Sequence, residues 1–345
     1  MVQNSIICDS AEDFISKLSL SNPSWWNNNS QCHWIFRGQS SQHQLIPSLF
    51  RATSPDNTEL NYNRIFNVIS PQLLDTVPNI QVEIKMISLF AADQLALPEI
   101  AKLIEIIKAL FVEISLTENF LIRCNEIRLN TPSLWLFSNQ YRGISSVEFF
   151  YNWLSRQSPI KNFIKLPFEN QLSNGFRKII YFEYPESMAL ARHHGVLSRL
   201  LDWTKEPMIA AFFSAYNSST TDDACVLALD KEHLSFRPGH GQIQFYEKLS
   251  KSGLEFLHIQ EGLFTDPLGI ESYYLKFGQW PTLGDYLLKT LTTPQGEPIP
   301  QETYLKKILL KASAKVELLK RLDRMGINKY TLMPTYDNVR EFIHS

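Results

Sequence analysis

Glycine constrains this chain more than any other residue: there are only 13 in 345 residues, none between Gly38 and Gly143, and nine beyond Gly195. A glycine inside a helix costs roughly 1 kcal/mol relative to alanine, so a run of roughly a hundred residues without one suits helices. The glycine-bearing remainder suits strands, turns and close backbone approaches. The length allows one large domain or two ordinary ones, and either can bury a core without disulfide or metal staples.

Composition narrows the class. The chain is 44% hydrophobic, 12% aromatic and 20% charged, with a formal net charge of −2, as expected of a soluble globular protein. Near-neutral charge argues against a protein built mainly to hold duplex nucleic acid, although a local basic groove stays open. The four cysteines, Cys8, Cys32, Cys124 and Cys225, are scattered without a CxxC. That spacing indicates reduced thiols rather than a zinc site or a disulfide framework. No basic leader opens the sequence and no apolar run approaches the roughly 18 residues that span a bilayer, so a cytoplasmic location without a membrane partner is expected.

Periodicity divides the chain further. A helix is expected over 11–20, a polar loop over 21–33, and a strand at WIFRG, with Trp34 and Phe36 on one face, Ile35 and Arg37 on the other, and Gly38 turning the chain at its end. From 59 to 156 the pattern is helical: Ile100, Leu103, Ile104, Ile107, Phe111 and Ile114 recur at spacings of three or four, with similar faces at 81–93 and 145–156. The stretch 157–180 reads as a loop and ESMALARHHG as a short helix. LSRLLDW reads as extended and EPMIAAFFSAY as an apolar, buried helix started by Pro207. Strands are expected at 225–230, 254–260, 271–277 and 304–311. A helix capped by Ser313 should bury Val316, Leu319 and Leu322 and end at Gly326, and a last helix follows Asp337. The fold expected is α+β, a small mixed or antiparallel sheet core from 1–58 and 181–345 interrupted by a helical insertion at 59–180. The insertion is the expected seat of any protein partner.

Three polar clusters stand out. Arg37, on an apolar strand beside Gly38, is placed to grip a phosphate or carboxylate with its forked donors; the plainer reading is a structural ion pair. In ARHHGVLSRLLDWT, residues 191–204, the adjacent His193 and His194 cannot form an i,i+4 metal pair, and HExxH is absent, so no metal is expected. One of the two histidines is a candidate proton carrier or donor to a ligand, against a helix-end histidine favoured by the macrodipole. Asp202, Trp203 and Thr204 are candidates for the rim of a pocket closed by the following helix, whose N-terminus would face an anion, against a buried Arg199–Asp202 pair. The third cluster is HIQEGLF, residues 258–264, read as a strand ending in Gln260 and Glu261, where a carboxylate or amide would fix a ribose hydroxyl in a nucleotide site; the commoner alternative is a solvated strand-end charge at Glu261. No G-x-S-x-G elbow, P-loop or GxGxxG fingerprint occurs, which moves serine acyl transfer and P-loop phosphoryl transfer down the list.

Together these strings resemble the FRG domain family, named for the Phe-Arg-Gly found here as Phe36, Arg37 and Gly38. LIPSLFR at 45–51, ALARHHGVLSRLLDWTKEPMIAAFFSAY at 189–216, IQEGLF at 259–264 and RLDRMGI follow in order. Ser198 stands where threonine is common in the family, and Glu261 adds a carboxylate beside the more typical Gln260. The order of strand with Arg-Gly, hydroxyl-bearing turn into a buried helix, and strand ending in Gln or Glu also resembles the layout of ADP-ribosyltransferases, an analogy at the level of fold. That likeness implies NAD as substrate, with Arg37, Thr204, Gln260 and Glu261 as catalytic candidates. It implies Arg37, Gly38, His193, His194, Arg199 and Asp202 as the nucleotide-binding set. It also implies a transferase or NAD-consuming effector of a kind suited to defence or stress. Two alternatives stay open: a non-enzymatic module in which Arg37, His193, His194, Arg199 and Asp202 form a buried polar network, and a nucleic-acid-processing protein.

Overall fold

The structure is a computed structural model, and the residues it describes are 5–26, 32–54, 58–72, 97–131, 185–216, 218–235, 243–247, 249, 254–293 and 295–344. The helical faces expected at 81–93 and 145–156 and the loop at 157–180 lie outside them. In chain order the described elements are β1 (Ser5–Cys8), α1 (Ala11–Leu18), β2 (Trp34–Ser40), α2 (Asn61–Gln72), α3 (Leu97–Glu126), α4 (Pro185–His193), β3 (Leu201–Thr204) and α5 (Pro207–Tyr216). These are followed by β4 (Ala224–Asp230), α6 (Lys231–Ser235), β5 (Ile243–Tyr246), α7 (Glu255–Ile259), β6 (Gly262–Pro267), α8 (Ile270–Phe277) and α9 (Leu283–Thr290). The chain closes with β7 (Leu305–Leu310), α10 (Lys315–Arg324), α11 (Lys329–Leu332) and α12 (Tyr336–His344).

The fold is α+β, with one mixed seven-stranded sheet ordered β1-β7-β4-β2-β3-β6-β5. β1 runs parallel to β7, while β4 pairs antiparallel with β7 and β2, and β3 with β2 and β6. Two compact units divide the chain. The sheet unit comprises 1–45, 201–266 and 282–345, and the helical unit comprises 46–200 and 267–281.

The alternation in β2 sets the core of the sheet unit. Trp34 and Phe36 turn inward with Val226 and Ala228 of β4 and Ile308 and Leu310 of β7, against α5, α1 and α10. Helix α5 is apolar almost all round because it lies between the sheet on one side and α1 and α10 on the other. Burying one such side chain as Phe36 contributes about 1.5–3 kcal/mol. Gly38 does not turn the chain, since β2 continues to Ser40. Its missing side chain admits α5 instead: a Cβ there would sit 1.8 Å from the Ala210 carbonyl oxygen.

In the helical unit, α3 presents a buried stripe that includes Ile106, Leu110, Glu113, Thr117 and Leu121. The rings of Phe50 and Trp280 stack at 4.0 Å, with Tyr62 edge-on to both.

Three local expectations need correction. Residues 254–260 are not a strand: Leu254 and Leu257 are buried three apart, which is helical spacing, and α7 occupies Glu255–Ile259. Residues 271–277 are likewise helical, with Ile270 and Tyr273 buried and Gly278 ending α8 in the left-handed region at φ 72°. Before α10, Ser313 lies in a 3₁₀ turn and Ala314 occupies the N-cap. One consequence is a rotated face, on which Leu318 and Leu322 are buried and Val316 is 64% exposed. Gly326 follows the helix at φ 77°, in the left-handed conformation expected of it.

Candidate functional site

The sheet brings four of the candidate residues into one neighbourhood. Phe36 of β2 lies opposite Thr204 of β3, and Thr204 lies opposite Gly262 of β6. Arg37, Thr204 and the Gln260–Glu261 turn therefore sit on three adjacent strands or at their ends, although up to 224 positions separate them in sequence.

Each position has a local cause. Arg37 projects from β2 with 13% of its side chain exposed and donates from Nη1 to the Asp202 carbonyl at 2.7 Å and to its carboxylate at 3.3 Å. Its Nε donates to Oε1 of Gln39 at 3.3 Å, and Gln39 Nε2 donates in turn to the His43 carbonyl at 2.7 Å. Thr204 Oγ1 donates to the Gln260 carbonyl at 2.7 Å and accepts the Glu206 N–H at 3.0 Å. The Gln260 amide donates to the Leu332 carbonyl at 3.1 Å. These contacts tie the end of β3 to the start of α5 and to the C-terminal helices.

The Gln–Glu pair ends a helix rather than a strand. Gln260 is the C-cap of α7, and Glu261 takes a left-handed φ of 47° before β6 begins at Gly262. A non-glycine residue in that region is held there at a cost. The Lys205 N–H donates to the Glu261 carbonyl at 3.0 Å, which braces the turn. Glu261 is exposed. Its charge reaches Glu206, whose carboxyl is raised above the ordinary range first by burial and then by Glu261.

Other candidates lie in the helical unit. Arg199 is 1% exposed and is paired twice, from Nε to Glu113 at 2.6 Å and from Nη1 to Glu271 at 2.6 Å. Its own N–H and the Ser198 hydroxyl also donate to Glu113, at 2.7 and 3.0 Å. Within the sheet unit Asp202 is bonded by Arg37, and within the helical unit Arg199 is bonded by two glutamates. His193 closes α4, and exposed His194 stacks on Phe120 of α3 with ring centroids 5.8 Å apart. Gly195 follows at φ 87°, the left-handed conformation that releases the chain from α4.

Sequence reasoning missed Glu206, Gln39, Glu113 and Glu271. For Glu113 a signal was present, because it falls in step with Ile106, Leu110 and Leu121 on an apolar stripe, where a carboxylate needs a cation. Glu206 was hidden by its place just ahead of an apolar helix string, where it reads as a solvated charge at the helix start. Among the described residues no three His, Cys, Asp or Glu side chains are grouped as metal ligands, and no helix is long and apolar enough to cross a membrane.

Comparison with curated proteins and with solved structures returns no match. A family model does match. It reaches from 140, inside the stretch expected as an insertion, through α4, β3 and α5 to the loop before β4, and it leaves Phe36–Gly38 and the 259–264 turn outside. The chain thus carries a match to the FRG domain over residues 140–223.

Proposed function

We propose that the sheet unit binds NAD and acts on it as an ADP-ribosyltransferase-like enzyme, either hydrolysing it or transferring its ADP-ribose. What supports this reading is that Arg37, Thr204 and the Gln260–Glu261 turn lie on or beside the adjacent strands β2, β3 and β6, with the charge of Glu261 acting on the carboxyl of Glu206. Breaking the bond between ribose C1′ and the nicotinamide nitrogen sends the bonding pair to nicotinamide and leaves positive charge on the ribose. Water or an acceptor hydroxyl then bonds to C1′ and releases a proton. Glu261 would stabilise the ribose cation, and Glu206, with its raised carboxyl, would take the proton. Arg37 would keep Asp202 in place and lend positive potential to the phosphates.

One observation favours a second reading, a non-enzymatic binding module. The side chains of Arg37, Thr204 and Gln260 are already hydrogen-bonded within the fold. Purified protein incubated with NAD, with nicotinamide release and NAD binding both measured, separates the two. The enzymatic reading expects turnover that falls about 100-fold or more in Glu261→Gln. Binding without turnover leaves the module; neither binding nor turnover removes NAD from both.

A further inference from the structure

On the sheet face opposite the helical core, β2, β4 and β7 floor a pocket of about 390 Å³. Its volume lies toward the lower end of the roughly 300–1,000 Å³ typical of small-molecule sites, room for a mononucleotide or something smaller. All of its lining belongs to the sheet unit. The floor holds Leu227, Leu305 and Lys307, and the register places Lys307 opposite Leu227. One wall is the segment after β2, fixed where Gln39 donates to the His43 carbonyl. The other is the start of α9, fixed where the Leu283 N–H donates to the Leu45 carbonyl at 2.8 Å. The pocket is therefore built by hydrogen bonds across its rim rather than left by loose packing.

Its chemistry is polarised. Lys307 has no hydrogen-bond or ion-pair partner among the described residues, and it is the lysine among the residues that line the pocket. Asp285, also lining the cavity, accepts from the Thr282 hydroxyl at 2.7 Å, which orients its carboxylate. Burial pushes the Cys225 thiol of the floor up to about 12, so it contributes a neutral, apolar surface rather than a nucleophile. An unpaired cation attracts an anion, an oriented carboxylate accepts from hydroxyl groups, and a leucine floor covers an apolar ring face.

We propose that this pocket binds a phosphorylated sugar, alone or as a nucleoside monophosphate, with the phosphate on Lys307 and sugar hydroxyls toward Asp285. The site is separate from the β3–β6 corner and stands or falls independently of NAD turnover. Arg37, Gln39 and His43 form a hydrogen-bonded chain from that corner to the pocket wall.

Isothermal titration of the full chain with ribose 5-phosphate and the four common nucleoside monophosphates tests the proposal, with ribose and inorganic phosphate as controls. At least one sugar phosphate should bind, and Lys307→Gln should weaken it about tenfold or more, as loss of a charge-assisted bond does. Lys307→Arg should retain most of the affinity, which separates a charge role from a folding role. Asp285→Asn should weaken the sugar phosphates and leave inorganic phosphate unchanged. No binding by any of them, or equal binding in Lys307→Gln, overturns the site. Inorganic phosphate binding as tightly as ribose 5-phosphate overturns the sugar.

Discussion

Two arginines that look alike in sequence end in opposite electrostatic settings. Arg199, 1% exposed, meets two carboxylates with little water, so removing it strands buried charge at a cost of about 3–5 kcal/mol. Arg37 meets an Asp202 whose side chain is 40% exposed, and such pairs contribute about 0.2–1 kcal/mol. The first is a fixture of the core, and the second keeps its charge near solvent. Glu206 supplies the residue-scale prediction. Its folded carboxyl holds a proton to higher pH than the unfolded chain does, first through burial and then through Glu261. Stability from this group is therefore fully present below the ordinary carboxylate range and is lost as pH rises through the raised value. Glu206→Gln should melt at a higher temperature than the wild type at pH 7, with the gap closing toward pH about 4. A variant less stable at pH 7 would contradict it. The chemistry-bearing residue types were legible in the sequence; their partners were not. Glu113 lies 86 positions from Arg199 and Glu206 lies 55 from Glu261, and only tertiary structure brings each to its neighbour.

Elements were read correctly where the pattern had one period. Strand β2, with Trp34 and Phe36 alternating against Arg37, and helix α5, apolar throughout, are both where the sequence puts them. Strands and helices were confused at 254–260 and 271–277, where short mixed runs of aromatic and aliphatic residues fit either period until packing decides. Gly38 shows the same limit. A glycine after Phe-Arg reads as a turn, whereas here it is a strand residue whose absent side chain lets α5 lie against the sheet. Gly38→Ala would place Cβ 1.8 Å from the Ala210 oxygen and 2.6 Å from the Ser214 nitrogen, both backbone atoms of α5. The expected loss is about 3 kcal/mol or more, at the upper end of overpacking, read from the urea midpoint. Gly296→Ala, at φ 87° with nothing within 4 Å, serves as control and should lose only about 1–2 kcal/mol. Equal losses at the two positions would mean that the contact of α5 with β2 is not tight.

At the scale of the molecule, the chain leaves the sheet unit after 45 and 266 and re-enters it at 201 and 282. The bond from the Leu283 N–H to the Leu45 carbonyl holds one exit beside one re-entry. The uneven glycines hinted at this division, since the glycine-free stretch includes α2 and α3 of the helical unit. They did not show that this unit also takes in 46–58, 181–200 and 267–281. Those pieces matter because they carry Ser48, Ser198, Arg199 and Glu271, which with Glu113 of α3 make its buried polar centre. Removing 59–180 would delete Glu113 and leave Arg199 with Glu271, so that cut passes through a core rather than around one. A subtler perturbation asks whether the units unfold separately. Arg199→Met keeps volume and removes the charge, leaving the buried Glu113 and the partly buried Glu271 without that cation. If each unit has its own cooperative core, hydrogen exchange followed by mass spectrometry should quicken in α3, α4 and α8. Exchange in β2, β4 and β7 should stay at the wild-type rate, along with any ligand binding by the sheet unit. Equal quickening in the central strands would mean that the two units share one folding transition, and that the buried ion cluster stabilises the candidate site from outside its own unit.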